Sequence, residues 1–329
     1  MFKALSFVKS LATAAGLATL VAAGIGSAAA ADSIRVGLQA VPPDEVYKAR
    51  DFGAPYGLDL ELSSFSSGSD SLKAFLAGRV DVANGGSARL VTMAAQQPDT
   101  FYIVAANQYG GDRYGVIVAN ESTATSIADL KGKKIGAVTG SGTFNTFRVF
   151  LEQNGLSESD FEIVNMKVED IRAAVQRGIV DAGVAWEPHV AIAENLGAVK
   201  RIISMEGVNE SPNFVLVRRS FADENPDAVA KYVATLIDLA NLIKTKPEEA
   251  GQIAAEQISQ SGVNVEPAAL ELALTRIKMD PQVTDALLAE LLPVAESMAA
   301  AGKIDAVPDF KGLVRDEYYE KARELTATQ

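Results

Sequence analysis

AGRVDVANGGS, residues 77–87, is the most informative segment of this sequence. Gly78 ends a predicted helix here and Val80-Asp81 opens a predicted strand, because glycine readily takes the left-handed conformation that stops a helix. The same Gly-x-Val-Asp pattern returns one hundred residues later in QRGIVDAGVAWEPHV, residues 176–190. This repetition predicts two α/β lobes of the same construction.

Short apolar runs alternate with helical patterns on both sides of this segment. Ten such runs predict strands, and the helices between them predict βαβ units with mostly parallel sheets. The runs are IRVGL (34–38), LDLEL (58–62), VDVAN (80–84), FYIVAA (101–106), YGVIVAN (114–120), KIGAV (134–138), FEIVN (161–165), VDAGVAW (180–186), VKRII (199–203) and FVLVRR (214–219). We therefore expect an α/β fold.

The chain turns helical after the last of these strands. Pro226 marks the start of one helix, and Pro293 is expected to kink another. The strands at 114–120 and 213–219 are placed as the two crossings between lobes, where they would act as the hinge. The predicted organisation is a first lobe of residues 32–115 plus 217–329, which includes a C-terminal helical extension, and a second lobe of residues 116–216.

The first 31 residues have the three parts of a secretory signal peptide. Lys3 and Lys9 precede an apolar run at 11–26, and the small residues at 29–31 offer a cleavage pattern. A membrane anchor is the alternative, but it needs about 20 apolar residues, which is longer than this run. We expect residues 1–31 to be removed and the product to be periplasmic. Loss of the two lysines would take the formal charge from −12 to −14.

The composition narrows the function. The chain has 42 Asp+Glu against 30 Lys+Arg, and this acidic balance argues against a nucleic-acid partner, whose phosphates require basic side chains. It has no Cys and one His, which excludes a thiol nucleophile, a disulfide framework and a Cys-rich zinc site. We therefore expect a binding protein rather than an enzyme, with no metal site and no cofactor.

Three loops rich in glycine and serine follow predicted strands. VTGSGTFNTF (138–147) leads into a helix, whose N-terminus offers unpaired N–H groups and a partial positive charge to an anion. SSFSSGSDSL (63–72) and ANGGSARL (83–90) have the same layout, and ligands of α/β sheets bind where strands end. The loops predict an anion site, with an ordinary N-cap by Ser141 or Thr143 as the alternative.

Four further side chains and the single histidine are candidates with open alternatives. Trp186, the only Trp, would either line the pocket or pack in a core. Glu187 would face a ligand ammonium or cap the following helix, and His189 is expected to pack or lie at the surface. Arg89 and Arg113 could pair with an anion or remain solvated at the surface.

Together these motifs resemble the periplasmic substrate-binding proteins of the nitrate/sulfonate/taurine ABC importers, closest to the taurine-binding branch. The resemblance covers essentially the whole chain after residue 31 and rests on segments 65–68, 77–87, 129–143, 162–190 and 301–310. It implies a two-lobe periplasmic-binding-protein fold, type II-like, with two hinge crossovers. By motif position it implies ligand contacts from Gln39, Ser69, Gly86, Ser87, Ser141, Gly142, Thr143, Trp186 and Glu187, with Arg89, Tyr109 and Asn213 as further candidates.

The implied function is capture of a small organic anion, taurine or another alkanesulfonate, by a monomer that delivers it to an inner-membrane ABC permease. Arg89 and the Gly140-Ser141-Gly142 run depart from the taurine-type pattern, so a carboxylate, nitrate or aminopyrimidine ligand stays open. The pyrimidine synthases of thiamine biosynthesis share the architecture and supply a rival from the enzyme class. The sites of such synthases use Cys and His, whereas this chain has no Cys and a single His, which argues against an enzyme of this kind.

Overall fold

The computed structural model describes residues 32–65 and 67–328, and the predicted signal peptide lies outside them. This part of the chain contains ten strands. They are β1 (Asp32–Gln39), β2 (Leu58–Phe65), β3 (Val82–Gly86), β4 (Phe101–Ala106), β5 (Tyr114–Ala119), β6 (Lys134–Ala137), β7 (Glu162–Asn165), β8 (Ala182–Trp186), β9 (Val199–Ser204) and β10 (Asn213–Arg218). They form two five-stranded sheets, with the orders β2-β1-β3-β10-β4 and β7-β6-β8-β5-β9.

Helices connect these strands and then form the C-terminal part of the fold. They are α1 (Pro42–Ala49), α2 (Gly68–Leu76), α3 (Ser87–Gln96), α4 (Gly142–Gln153), α5 (Val168–Gln176), α6 (His189–Asn195), α7 (Arg219–Glu224), α8 (Pro226–Thr245), α9 (Pro247–Ser259), α10 (Pro267–Thr275), α11 (Asp285–Ala289), α12 (Leu292–Ala300) and α13 (Asp316–Ala327). Pro226 begins α8 as predicted. Pro293 lies in the first turn of α12, so it begins a new helix and does not kink an existing one.

The two halves of the fold share one local arrangement, at the positions of the sequence repeat. Gly78 (φ 73°) follows α2 and Gly178 (φ 66°) follows α5, both in the left-handed conformation that ends a helix. Asp81 then accepts a backbone N–H of β1 at 3.2 Å, and Asp181 accepts the corresponding N–H of β6 at 2.9 Å. The internal repeat of the sequence is therefore also a repeat of structure.

Both sheets are mixed, whereas the alternation of strands and helices predicts mostly parallel ones. β10 pairs antiparallel with β3 and β4, and β5 pairs antiparallel with β8 and β9. These two strands enter their sheets directly from the other half, so they run against the strands of the βαβ units. The pairs of β1 with β2 and β3, and of β6 with β7 and β8, are parallel.

The chain passes between the sheets twice, from β4 to β5 and from β9 to β10. The two connecting segments lie side by side, because the Gly110 N–H donates to the Glu210 carbonyl and the Asn213 N–H donates to the Gln108 carbonyl, both at 2.9 Å. Two crossovers are therefore present, as the sequence predicts, and they are joined to each other by backbone hydrogen bonds.

The position of these crossovers differs from the prediction. The strands at 114–120 and 213–219 were expected to carry the chain across, but β5 lies wholly in the second sheet and β10 wholly in the first. Each strand pairs within one sheet, so the chain crosses between the sheets in the loops that precede β5 and β10. By sheet membership, residues 114–115 go with the second lobe and residues 213–216 with the first.

The C-terminal helices cover one face of the first sheet. Val215 and Val217 of β10 pack in the same buried cluster as Val229 and Tyr232 of α8, and this cluster also includes residues of α9, α10 and α13. Successive residues of a strand point to opposite faces, so Phe214 and its alternating neighbours pack in a second cluster with α2, α3, α11 and α12. In the described part of the chain, no helix combines the length and apolar character that a membrane span requires.

Candidate functional site

Polar side chains meet where β1 ends and α2 begins. A Cβ placed on Gly68 would lie 3.0 Å from Arg89 Nη1 and 3.0 Å from Gln39 Oε1, so these two groups approach the Gly68 backbone closely. The Arg89 Nε–H also donates to Ser69 Oγ at 3.0 Å. Gln39, Ser69 and Arg89 therefore form one group, as the sequence predicts for residues that follow neighbouring strands.

The end of β3 adds two more predicted residues to this group. A Cβ on Gly86 would lie 2.8 Å from Asn213 Oδ1 and 3.7 Å from Arg89 Nη1. The Ser87 hydroxyl donates to the Pro212 carbonyl at 3.1 Å. Gly86 and Asn213 thus lie beside Arg89, whereas the Ser87 proton is already used to hold the second crossover against α3.

The second sheet contributes the N-terminus of α4. Ser141 Oγ accepts the Phe144 N–H at 3.1 Å, which is the capping role that the sequence left open, and its own hydroxyl proton can still be donated. A Cβ on Gly142 would lie 3.6 Å from Ser211 Oγ and 3.7 Å from Tyr114 Oη. Thr143 follows in the first turn and is buried.

Arg113, which the sequence offered either as a partner for an anion or as a surface residue, is buried beside Tyr114. Its Nη2 donates to Tyr114 Oη at 2.6 Å and also to the Ser211 carbonyl. The residue is only 4% exposed, yet its Nη1 has no hydrogen-bond partner. Burial removes the surface alternative for Arg113. No motif marks Tyr114 or Ser211, although Ser211 has a φ of 41°, which is uncommon for a residue other than glycine.

Arg89 and Tyr114 connect the two parts of the group. Burial lowers the pKa of Arg89, and electrostatic interactions with Asp70 and Tyr114 act in the opposite direction. The phenol of Tyr114 in turn adjoins Gly142 and Arg113. Arg89 of the first-sheet loops and Tyr114 of the second sheet are therefore near enough to interact electrostatically.

Trp186 lies at the edge of the group. It stands directly opposite Tyr114 in the β5–β8 pair, so their side chains share one face of the sheet. It also packs against His189, with ring centroids 5.9 Å apart and ring planes at 88°. His189 is half-buried and burial lowers its pKa, so it has the packing role expected of it.

Glu187 is engaged by groups of the protein. Its Oε1 accepts from Arg276 Nη1 at 2.8 Å, and its Oε2 accepts from the Ala191 N–H in the first turn of α6 at 2.9 Å. Arg276 also bonds Glu194 Oε2 at 2.6 Å. Burial raises the pKa of Glu187, while Arg276 and Ala191 act to lower it. Of the two sequence interpretations, the structure shows the helix cap.

Tyr109 lies on the first crossover, and the structure does not bring it into the group. Its backbone exchanges hydrogen bonds with that of Lys278, at 2.9 and 3.0 Å. Its side chain is half-buried and packs against the cluster formed by α2, α3, α11 and α12.

The chemistry of the group suits an anion. It offers the guanidinium groups of Arg89 and Arg113, hydroxyl protons from Ser69 and Ser141, and the backbone N–H groups of the α4 N-terminus. A buried cation is costly to leave without a counter-ion, and Arg113 forms no ion pair with the described residues. An anionic ligand would supply that counter-ion.

Residues 38–259, which include every candidate site residue, match the profile of the NMT1-like family. The chain belongs to the NMT1-like family. Among curated relatives of this NMT1-like protein, the taurine-binding periplasmic protein of Escherichia coli (strain K12) is 29% identical over 189 residues, which are 57% of this chain and 58% of that one. The matched segments span 58–62% of the lengths of the first curated relatives.

Solved structures resemble the NMT1-like chain over most of its length. The periplasmic aliphatic sulphonate binding protein SsuA from Escherichia coli superposes with a TM-score of 0.73 at 21% identity, over 87% of this chain and 92% of that one. The desulfurization enzyme DSZB gives a TM-score of 0.68 at 15% identity, over 89% and 99%. At these identities the likeness establishes the fold alone. The fold is the two-lobe α/β fold of periplasmic binding proteins with a C-terminal helical extension, as predicted.

Proposed function

We propose that this protein is the periplasmic substrate-binding component of an ABC importer, and that it captures a small alkanesulfonate and delivers it to an inner-membrane permease. The observation that carries the proposal is the buried guanidinium of Arg113, which lacks a counter-ion beside the N-terminus of α4. A sulfonate has one negative charge spread over three oxygens, so it can accept hydrogen bonds from several converging donors at once.

The two crossovers explain how capture would be completed. We infer that the first lobe comprises residues 32–112 and 213–328, the second lobe residues 113–212, and that the lobes move about the paired crossovers. Arg89 belongs to the first lobe, and Tyr114 and Gly142 to the second, so a ligand between them would draw the lobes together. Closure of this kind excludes water and strengthens every hydrogen bond to the ligand.

The acidity of the chain does not oppose an anionic ligand. The formal charge is −12, but charges separated by more than about 8 Å are largely screened at physiological salt. The groups nearest to the site are donors and cations, and these determine the affinity. The relatives' names, a taurine-binding protein and an aliphatic sulphonate binding protein, agree with this chemistry.

Capture without chemical change is the activity proposed. The fold also occurs in an enzyme, DSZB, but this chain has no Cys, and its one His packs against Trp186. The described site residues include no nucleophile that is hydrogen-bonded to a catalytic base. The soluble form, a monomer without a cofactor, is part of the same proposal.

Thermal unfolding with added ligand tests the proposal. A ligand present at 100 times its Kd should stabilise the protein by about 2.7 kcal/mol. We expect this from ethanesulfonate or 2-hydroxyethanesulfonate, with the ligand recovered unchanged after incubation. No stabilisation by any alkanesulfonate would refute the proposed ligand class, and chemical conversion of the ligand would refute the role of a pure binding protein.

A further inference from the structure

Most acidic side chains around the site are paired with cations of the protein itself. Four carboxylates lie on the elements that carry the site, and each forms an ion pair at 3.1 Å or less. The pairs are Asp70 with Lys73, Asp112 with Arg201, Glu187 with Arg276 and Glu210 with Lys278. Glu210 Oε2 is buried without a hydrogen bond, but the charge of this carboxylate is balanced through its other oxygen.

A fifth acid, Asp44, contributes little negative charge to the site. Its Oδ2 accepts the Gln39 N–H at 2.7 Å, and the side chain is buried at the start of α1. Burial raises its pKa to about 7, so near neutral pH a large fraction of this carboxyl group is protonated.

The two arginines of the site, in contrast, form no ion pair with the described residues. Arg89 donates to the Ser69 hydroxyl, and Arg113 donates to the Tyr114 hydroxyl and the Ser211 carbonyl, all of them uncharged acceptors. Within the described residues neither guanidinium forms an ion pair. The site therefore has two cations in need of negative charge, while its carboxylates are either paired with a cation or, in the case of Asp44, buried and bonded to the Gln39 N–H.

Glu187, the candidate partner of a ligand ammonium, is paired with Arg276. The Glu187 N–H donates to the Arg113 carbonyl at 2.9 Å, so Glu187 adjoins the site through its backbone. Its side chain is the carboxylate that the sequence offered as a partner for a ligand ammonium. That side chain is 1% exposed and is held by Arg276 and by the Ala191 N–H, so neither of its oxygens is left for a ligand.

We propose that the site selects organic anions that carry no ammonium group, so that a hydroxyl-bearing or unsubstituted alkanesulfonate binds more tightly than the amino-sulfonate of the same size. This inference rests on the proposed function and narrows its ligand class. An ammonium brought beside Arg89 and Arg113 would lose its water, meet like charge and find its carboxylate already paired.

Calorimetric titration of the wild-type protein with two matched ligands tests the inference. Taurine and 2-hydroxyethanesulfonate differ only in an ammonium or a hydroxyl group at the same carbon. We expect the hydroxyl compound to bind at least about tenfold more tightly. A charged donor left without a partner costs more than about 1.4 kcal/mol, which is the free energy of a tenfold change in affinity. Equal affinities, or tighter binding of taurine, would overturn the inference while leaving sulfonate capture intact. Binding of neither would overturn the proposed function itself.

Arg276→Gln identifies the ion pair as the cause of the preference. The variant removes the cation that pairs with Glu187. The preference for 2-hydroxyethanesulfonate over taurine should therefore fall at least about threefold. Arg323→Gln is the matched control, since among the described residues Arg323 pairs with the exposed Glu320, and this variant should leave the ratio unchanged. An unchanged ratio in folded Arg276→Gln would overturn the role of the ion pair. The wild-type comparison stands independently of whether this variant folds.

Discussion

Replacing Arg276 by methionine should destabilise the fold markedly, because it leaves a buried carboxylate without its cation. The side chain of Glu187 is 1% exposed and that of Arg276 is 14% exposed, with 2.8 Å between Oε1 and Nη1. Breaking a buried ion pair by removing one partner costs about 3–5 kcal/mol. Since the Ala191 N–H still bonds Oε2 and Arg276 is partly exposed, we expect about 3 kcal/mol.

Urea unfolding at pH 8 measures this loss, and two further variants make it specific. Arg323→Met removes an arginine whose side chain and partner are 60% and 61% exposed, and should cost less than about 0.5 kcal/mol. Adding Glu187→Gln to Arg276→Met removes the unpaired charge, so at least half of the lost stability should return. A loss in Arg276→Met no larger than in Arg323→Met would refute the reasoning.

The pH dependence of the same variant has a definite sign. Burial raises the pKa of Glu187, and removal of Arg276 takes away one of the groups that lower it. An acid whose pKa is higher in the folded state takes up protons on folding, so its penalty is absent at low pH and grows as pH rises. The deficit of Arg276→Met should therefore be smaller at pH 5 than at pH 8. A deficit that is larger at pH 5 would contradict this assignment.

Three other variants probe the site and its surroundings. Arg113→Met should lower sulfonate affinity at least about tenfold in calorimetry. It should change the unfolding free energy by less than about 1 kcal/mol, because the substitution leaves no charge unpaired. Arg148→Met, at an exposed position, is the control, and unchanged affinity in Arg113→Met would exclude Arg113 from the site. The wild type should lose on the order of 3–4 kcal/mol of stability as pH rises from 3.8 to about 7, because Asp44 must ionise while buried. Asp44→Asn should not show this loss. Parallel pH profiles of unfolding for variant and wild type would contradict the assignment. Gly86→Ala places a Cβ 2.8 Å from Asn213 Oδ1, so affinity should fall, and retained affinity would show that Asn213 is not needed.

Local features of the chain are the ones that the sequence predicts well. Gly78 and Gly178 end their helices in the left-handed conformation because that preference belongs to the residue itself. The Gly/Ser loops after β2, β3 and β6 could be predicted because each follows a strand of the same kind of unit. Gln39, Ser69 and Gly86 could therefore be placed in the site before their contacts were known.

Features that depend on distant parts of the chain were not predicted. Arg276 and Glu187 are 89 positions apart, and no local pattern in either segment indicates that they pair. The burial of Arg113 follows from the packing of two crossovers, each of which looks like an ordinary polar loop in the sequence. The antiparallel direction of β5 and β10 likewise depends on which sheet receives each strand after a crossing.

Calorimetric titration of the wild-type protein with 2-hydroxyethanesulfonate tests the central claim most directly. The account predicts binding of one ligand per chain, at least about tenfold weaker in Arg113→Met and unchanged in Arg148→Met, with the ligand recovered unchanged. Absence of binding, or binding that is equally strong in Arg113→Met, would contradict the claim that this site captures an alkanesulfonate.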